Sequence, residues 1–167
     1  MVGATSTESA HIPPSELGPR DVQGDLLPTL VYTSSPGLAI PENGCPDYVT
    51  DTIYVPDSLT IEDLEVGLNI ATTYRGDLNI SLRSPAGTVV QLATSRWDGD
   101  NNYDLMLDDQ STNPIDDDDS DDISPPYYDR DAAPVGSLSD FVGENAQGTW
   151  TLQICDDFNQ DLSLIHI

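Results

Sequence analysis

Apolar residues fall at every second position at Leu64, Val66, Leu68 and Ile70, and the alternation resumes at Leu78, Ile80 and Leu82. Between the two runs stands Tyr74-Arg75-Gly76-Asp77, where glycine supplies the backbone freedom of a tight corner. Ser84-Pro85-Ala86-Gly87 then turns the chain, and Val89, Val90 and Leu92 form a third apolar run. A period of two with turn signals between the runs predicts antiparallel strands with one buried face. The same reading gives strands at residues 52–55, 59–70, 78–84, 89–93, 103–108 and 149–155. Residues 109–137 hold many prolines and aspartates and little periodicity, so they read as a long loop. No amphipathic helix and no internal repeat is visible. The expected fold is all-β, an antiparallel β-sandwich or jelly roll.

The ends of the chain are patterned differently. Residues 1–35 hold Pro13, Pro14 and clusters of Ser and Thr without a sustained period, and read as a linker or the tail of an upstream domain. Domain-like patterning runs over residues 36–161. Leu162-Ser163-Leu164-Ile165-His166-Ile167 resembles the translation of a sequencing-library adapter, so these residues read as a non-native tail. No secretory leader is recognisable at Met1-Val2-Gly3-Ala4, which lacks a charged and an apolar region. A fragment of a longer secreted precursor is the expectation that reconciles the two ends.

Charge narrows the partners. The chain carries 30 acidic residues against five basic ones, a formal net charge of −25, and it has no lysine. Nucleic-acid phosphates and anionic membranes are therefore excluded as partners, because the electrostatic term has the wrong sign. High salt or a calcium-containing medium would screen the self-repulsion.

Cys45 and Cys155 bracket the patterned region and sit in no metal-binding spacing. A disulfide between them is the natural reading for an exported β domain, with two unpaired buried thiols as the alternative. It would close a loop of more than 100 residues, worth about 4–5 kcal/mol by chain entropy.

A serine nucleophile needs a base, and the only histidines are His11, in the unpatterned start, and His166, in the suspected tail. Gly-x-Ser-x-Gly and His-Glu-x-x-His are absent. Independent catalysis is not expected. Asp98, Asp100, Asn102 and Asp104 alternate in a polar stretch with Gly99, a spacing that could present several oxygens to calcium; a solvated polar turn is the competing reading. Asp116-Asp117-Asp118-Asp119-Ser120-Asp121-Asp122 reads as an extended, self-repelling run. Tyr74 and Trp150 are expected in the core. Tyr127 and Tyr128 follow Pro125-Pro126 and could pack on a neighbouring domain.

Three blocks in order resemble one family: Tyr74-Arg75-Gly76-Asp77-Leu78 through Ser84-Pro85-Ala86-Gly87-Thr88, the corner Leu138-Ser139-Asp140-Phe141-Val142-Gly143, and Gly148-Thr149-Trp150-Thr151-Leu152. Together they resemble the P domain, or Homo B domain, of subtilisin-like proprotein convertases and related secreted peptidases. The resemblance implies a galactose-binding-domain-like jelly roll that lacks its last native strand here. It implies an extracellular, non-catalytic accessory domain that stabilises or regulates a subtilisin-like serine endopeptidase domain upstream in the same precursor, and it favours calcium. It also implies that Arg75-Gly76-Asp77 belongs to the fold, with Arg75 paired to a carboxylate and Asp77 capping the turn, rather than serving as an adhesion motif. The rivals are a P domain appended to a secreted metallopeptidase, a free-standing β-sandwich binding module for glycans or surfaces, and an enzyme in its own right.

Overall fold

A computed structural model of the chain describes residues 29–96, 99–115, 123–158 and 163–166. The chain divides into two compact units, Met1–Val31 and Tyr32–Ile167, and the fold below is that of the second. The expectations for residues 1–28, Asp98 and the run 116–122 fall outside the described residues.

Nine strands follow in chain order: β1 Leu38–Ile40, β2 Val49–Val55, β3 Val66–Thr72, β4 Leu78–Arg83, β5 Val89–Ala93, β6 Tyr103–Leu107, β7 Asp131–Ala132, β8 Gly148–Asp156 and β9 Ser163–His166. They form two sheets, β1-β9-β3-β6-β7 and β2-β8-β4-β5. All pairings are antiparallel except β6 with β7. This is the sandwich that the period-two runs called for. Leu68, Ile70, Leu105 and Leu107 from one sheet and Ile80, Leu92, Trp150 and Ile154 from the other belong to one buried core.

The order of the strands shows what the corners do. β4 and β5 form a hairpin through Ser84-Pro85-Ala86-Gly87, and Gly87 takes a φ of +101°. β3 and β4 are consecutive, yet they lie in different sheets. Arg75-Gly76-Asp77, a short 3-10 turn, therefore carries the chain from one layer of the sandwich to the other.

Three expectations need correction. Residues 59–65 are not part of a strand, and β3 starts at Val66. Leu59 and Leu64 still pack against the core, and Ile61 is buried. Their alternation serves an extended arm, tied by the Thr60 bridge to Asn145 and by Ile61 N–H donating to the Glu144 carbonyl. The loop 109–137 contains a short strand, β7, whose two residues are too few to show a period. The strand position expected to be missing is filled: β9 runs between β1 and β3, with Ile165 opposite both Leu38 and Ile70. An extended segment here satisfies the backbone donors and acceptors of both neighbours.

β2 is an edge of its sheet. Asp51 stands opposite Leu152 and so on the inward-facing side, half-buried. An inward charge on an edge strand discourages pairing with a foreign strand.

Candidate functional site

The Arg75-Gly76-Asp77 corner and the Asp100–Asp104 stretch meet in space, at one end of the sandwich. Arg75 is 1% exposed. Its backbone N–H donates to the Asp100 carbonyl at 2.9 Å. Its guanidinium donates to Asp100 Oδ2 at 3.1 Å and to the Asn102 carbonyl at 3.5 Å, and lies over the Tyr103 ring, 5.6 Å from its centroid. A buried guanidinium requires such a set of acceptors, since desolvating an unpaired charge costs several kcal/mol. The paired carboxylate expected for Arg75 is Asp100. Buried in this way, the triplet is a structural corner and presents no arginine to a receptor.

Asn102 has a φ of +51°, a left-handed conformation that asparagine tolerates best after glycine. Its Oδ1 accepts the Thr72 N–H at 3.0 Å, and its own N–H donates to the Thr72 carbonyl at 3.2 Å. It thereby fixes the end of β3. Asp104 lies on β6, 2% exposed, and its Oδ1 accepts the Tyr128 N–H at 3.0 Å. Its carbonyl accepts Arg130 Nη2 at 2.9 Å. Asp77 is buried, and its carbonyl accepts the Asp157 N–H at 2.9 Å.

These partners bear directly on the calcium expectation. Asp100 and Asn102 turn oxygens toward a cation, and the cation is the guanidinium of Arg75. Asp104 is committed to the segment at Tyr128. Among the described residues no group of three or more His, Cys, Asp or Glu is placed to hold a metal ion. Asp100 and Asn102 thus face Arg75, Asp104 faces Tyr128, and Asp98, the fourth oxygen ligand expected, lies outside the described residues.

Tyr74 is 43% exposed and not in the core, because it precedes the 3-10 turn and falls outside both strands whose alternation would bury it. Its hydroxyl oxygen sits over Gly99, 3.1 Å from where a Cβ would stand. Trp150 is buried as expected. It meets Phe141 edge to face at 5.1 Å, and its Nε1 donates to the Ala146 carbonyl at 2.9 Å. Gly148 begins β8 with a φ of +134°, and a Cβ there would stand 2.7 Å from Pro85 Cβ. Thr149, between them, is exposed. The first and third sequence motifs thus touch each other. The Leu138–Phe141 corner is a 3-10 turn that buries Leu138 and Phe141.

Cys45 and Cys155 form a disulfide, with Cα atoms 5.1 Å apart. Cys45 lies in the turn after β1 and Cys155 on β8, so the bond ties a loop to a central strand rather than one strand to another. The same loop is held by Asn43 N–H to the Phe158 carbonyl and Cys45 N–H to the Asp156 carbonyl.

Asp109 was not visible as a functional residue in the sequence. Its carboxylate accepts the hydroxyls of Ser137 and Ser139 and the backbone N–H groups of Leu138 and Ser139, all within 2.6–2.9 Å. It acts as an N-cap supplied from a distant part of the chain. Partial desolvation pushes its pKa up, but the Ser139 and Ser137 hydroxyls and the two backbone donors outweigh this and hold it down at about 2. Glu65 shows the opposite: desolvation first, then Asp108 and Asp63, raise its pKa. Tyr128 has a φ of +59°, and its ring lies 3.1 Å from the position of a Cβ at Gly67. Only a glycine in β3 lets the ring come so close. Tyr127 is exposed, and Tyr128 is packed on its own sheet.

No curated protein matches the chain. The solved structures that match it include the serine protease of Aeromonas sobria, at 23% identity, TM-score 0.46, covering 84% of this chain and 25% of that one, and the complex of that protease with the chaperone ORF2, at 20% identity, TM-score 0.46, covering 81% and 26%. The chain spans about a quarter of the length of those solved chains. The family model described as the proprotein convertase P-domain matches residues 61–166, a span that holds all three sequence motifs, the buried Arg75 corner and the Trp150 strand, and on that match the chain belongs to the proprotein convertase P-domain family.

Proposed function

We propose that this chain is the non-catalytic accessory domain of a secreted subtilisin-like serine endopeptidase, and that it stabilises the catalytic domain of the same precursor. The observation that carries the reading is the family match over residues 61–166. Two further features support it. The Cys45–Cys155 disulfide suits an oxidising, extracellular compartment. The conspicuous polar groups serve the fold: Arg75, Asp100, Asn102, Asp104 and Asp109 each hold a turn or a strand end in place, as the contacts above describe. A domain that spends its charged side chains on its own corners offers rigidity to a neighbour.

The test is the gene product from which the chain comes. A subtilisin-like catalytic domain upstream should lose activity on heating faster once residues 32–166 are removed. The 167-residue chain by itself should turn over no casein or dibasic peptide. Turnover that survives repurification and is blocked by a serine-directed reagent would overturn the reading, and so would an upstream sequence with no peptidase domain.

A further inference from the structure

The two sheets have unlike outer faces. That of the five-stranded sheet is covered by the chain itself over β3 and β6, where Tyr128 lies on Gly67 and Arg130 reaches the Asp104 carbonyl. The outer face of β2-β8-β4-β5 is covered at one end, where the Cys45 turn is bonded to Cys155. The rest is open. The register places Thr50, Thr52 and Tyr54 of β2 beside Gln153, Thr151 and Thr149 of β8, with Trp150, Leu152 and Ile154 on the opposite, inner side. Thr50, Thr52, Tyr54 and Thr149 are exposed, Tyr54 at 64%. Arg83 of β4 stands opposite Thr151 and is exposed. No outward position of these four strands is an aspartate or glutamate, in a chain with 30 acidic residues. Arg83, one of only five basic residues, is the single charge among them.

Resting on the accessory-domain reading, we propose that this face is where the chain docks on the catalytic domain of its own precursor. Charge selects the face. A molecule of net charge −25 repels an acidic neighbour least over a stretch without carboxylates, which this face offers beyond the Cys45 end, where Asp157 accepts the Asn79 amide. Size selects the kind of partner. Four strands ~4.8 Å apart and five residues at ~3.4 Å each give a patch of roughly 19 by 17 Å. Covering it buries about 650 Å² on both sides together, short of the roughly 1,200 Å² of a stable complex between free proteins. It falls within the about 600–1,500 Å² of contacts between domains of one chain, which are also more polar. Threonine and glutamine suit such a contact, with Tyr54 and Arg83 as its anchors. A second copy of the chain would bring another charge of −25 to the same small patch, so a tethered domain is the better occupant.

The experiment compares four proteins: the full precursor, the precursor lacking residues 32–166, the precursor carrying Thr50→Glu and Thr149→Glu, both exposed and not opposite one another, and the 167-residue chain with the same pair. In the precursor the double variant should speed heat inactivation of the peptidase by about tenfold, the equivalent of a 1.4 kcal/mol loss at the contact, and approach the rate of the deletion. In the chain alone the pair should shift the melting temperature by no more than about 2 °C, as exposed substitutions do. If it shifts further, Tyr54→Ser with Arg83→Glu replaces the pair. Amides of β2 and β8 should exchange hydrogen more slowly in the precursor than in the chain alone. If the deletion inactivates the peptidase and neither double variant does, another face docks and this proposal falls while the accessory reading stands. If the deletion itself changes nothing, the accessory reading falls. If removing residues 1–28 from the chain alone exposes β2 and β8 to exchange, the face is covered by the chain's own start and the proposal is wrong.

Discussion

Replacing both Cys45 and Cys155 by alanine should cost the domain about 4–5 kcal/mol. The two residues are 110 apart in sequence, and the bond removes that loop's closure entropy from the denatured chain. The chain-entropy relation gives about 16 cal/mol/K, or about 4.8 kcal/mol at 25 °C. The native state should change little. Asn43 N–H still reaches the Phe158 carbonyl at 2.7 Å, and Cys45 N–H the Asp156 carbonyl at 3.1 Å, so the turn stays seated without the sulfurs. The loss is a large share of the roughly 5–15 kcal/mol that a domain has to spend. For a unit of this size it lowers the melting temperature by about 15 °C. The assay is urea unfolding of the oxidised chain and the double variant, followed by the fluorescence of the two tryptophans, Trp97 and Trp150. The variant's denatured state is less compact, so its m-value should rise as its midpoint falls. A loss below about 1 kcal/mol with an unchanged m-value would refute the reasoning. It would mean that the denatured chain is no freer without the bond than with it.

Gly148→Ala should destabilise by about 2–4 kcal/mol in the same urea assay, from a positive φ together with an overlap against Pro85. Arg75→Met should cost about 1–2 kcal/mol, because the half-buried Asn102 carbonyl loses its guanidinium donor while Asp100, 40% exposed, turns to water, and circular dichroism melts would detect it. Asp109 is depressed in the folded state, so its contribution is full above its unfolded pKa near 3.8 and is lost as pH falls toward about 2. Asp109→Asn should flatten the stability profile across that window and cost about 1 kcal/mol above it, after discounting for solvent screening. Glu65 is raised, so its charged form opposes folding, and Glu65→Gln should raise the melting temperature at neutral pH and not in acid. Calcium and magnesium at equal ionic strength should stabilise alike, as screening does; a calcium-specific rise removed by Asp100→Ala would show an ion where the structure places Arg75.

The sandwich was legible because β4, β5, β6 and β8 each bury alternate residues over five or more positions. β1, β7 and β9 were not, since two to four residues show no usable period. Residues 59–65 misled for the opposite reason: alternation reports burial on one side, and an arm lying on a core has that as well as a strand does. The corner motif was legible as a corner, but its change of sheet is a fact about two layers and no local pattern encodes it. The candidate site divided along the same line. Arg75 and Asp100, 25 residues apart, and Asp109 and Ser139, 30 apart, are pairs that only the folded chain brings together. In sequence, an aspartate that caps a distant turn looks like any other of the many aspartates.

The strand order also fixes when the domain can form. β1 pairs only with β9, and β2 only with β8, so the first two strands made wait for the last two. A chain growing from its N-terminus would carry β3 with one edge open, and β2 with no partner at all, through about a hundred residues of synthesis. Closing such distant contacts is slow, on the order of milliseconds to seconds for all-β domains of high contact order. Folding is therefore a late and nearly concerted event, set off when β8 and β9 arrive. A ribosome or export channel that still holds the last strands keeps the whole sandwich unfolded, with the apolar edges of β2 and β3 exposed to whatever waits outside.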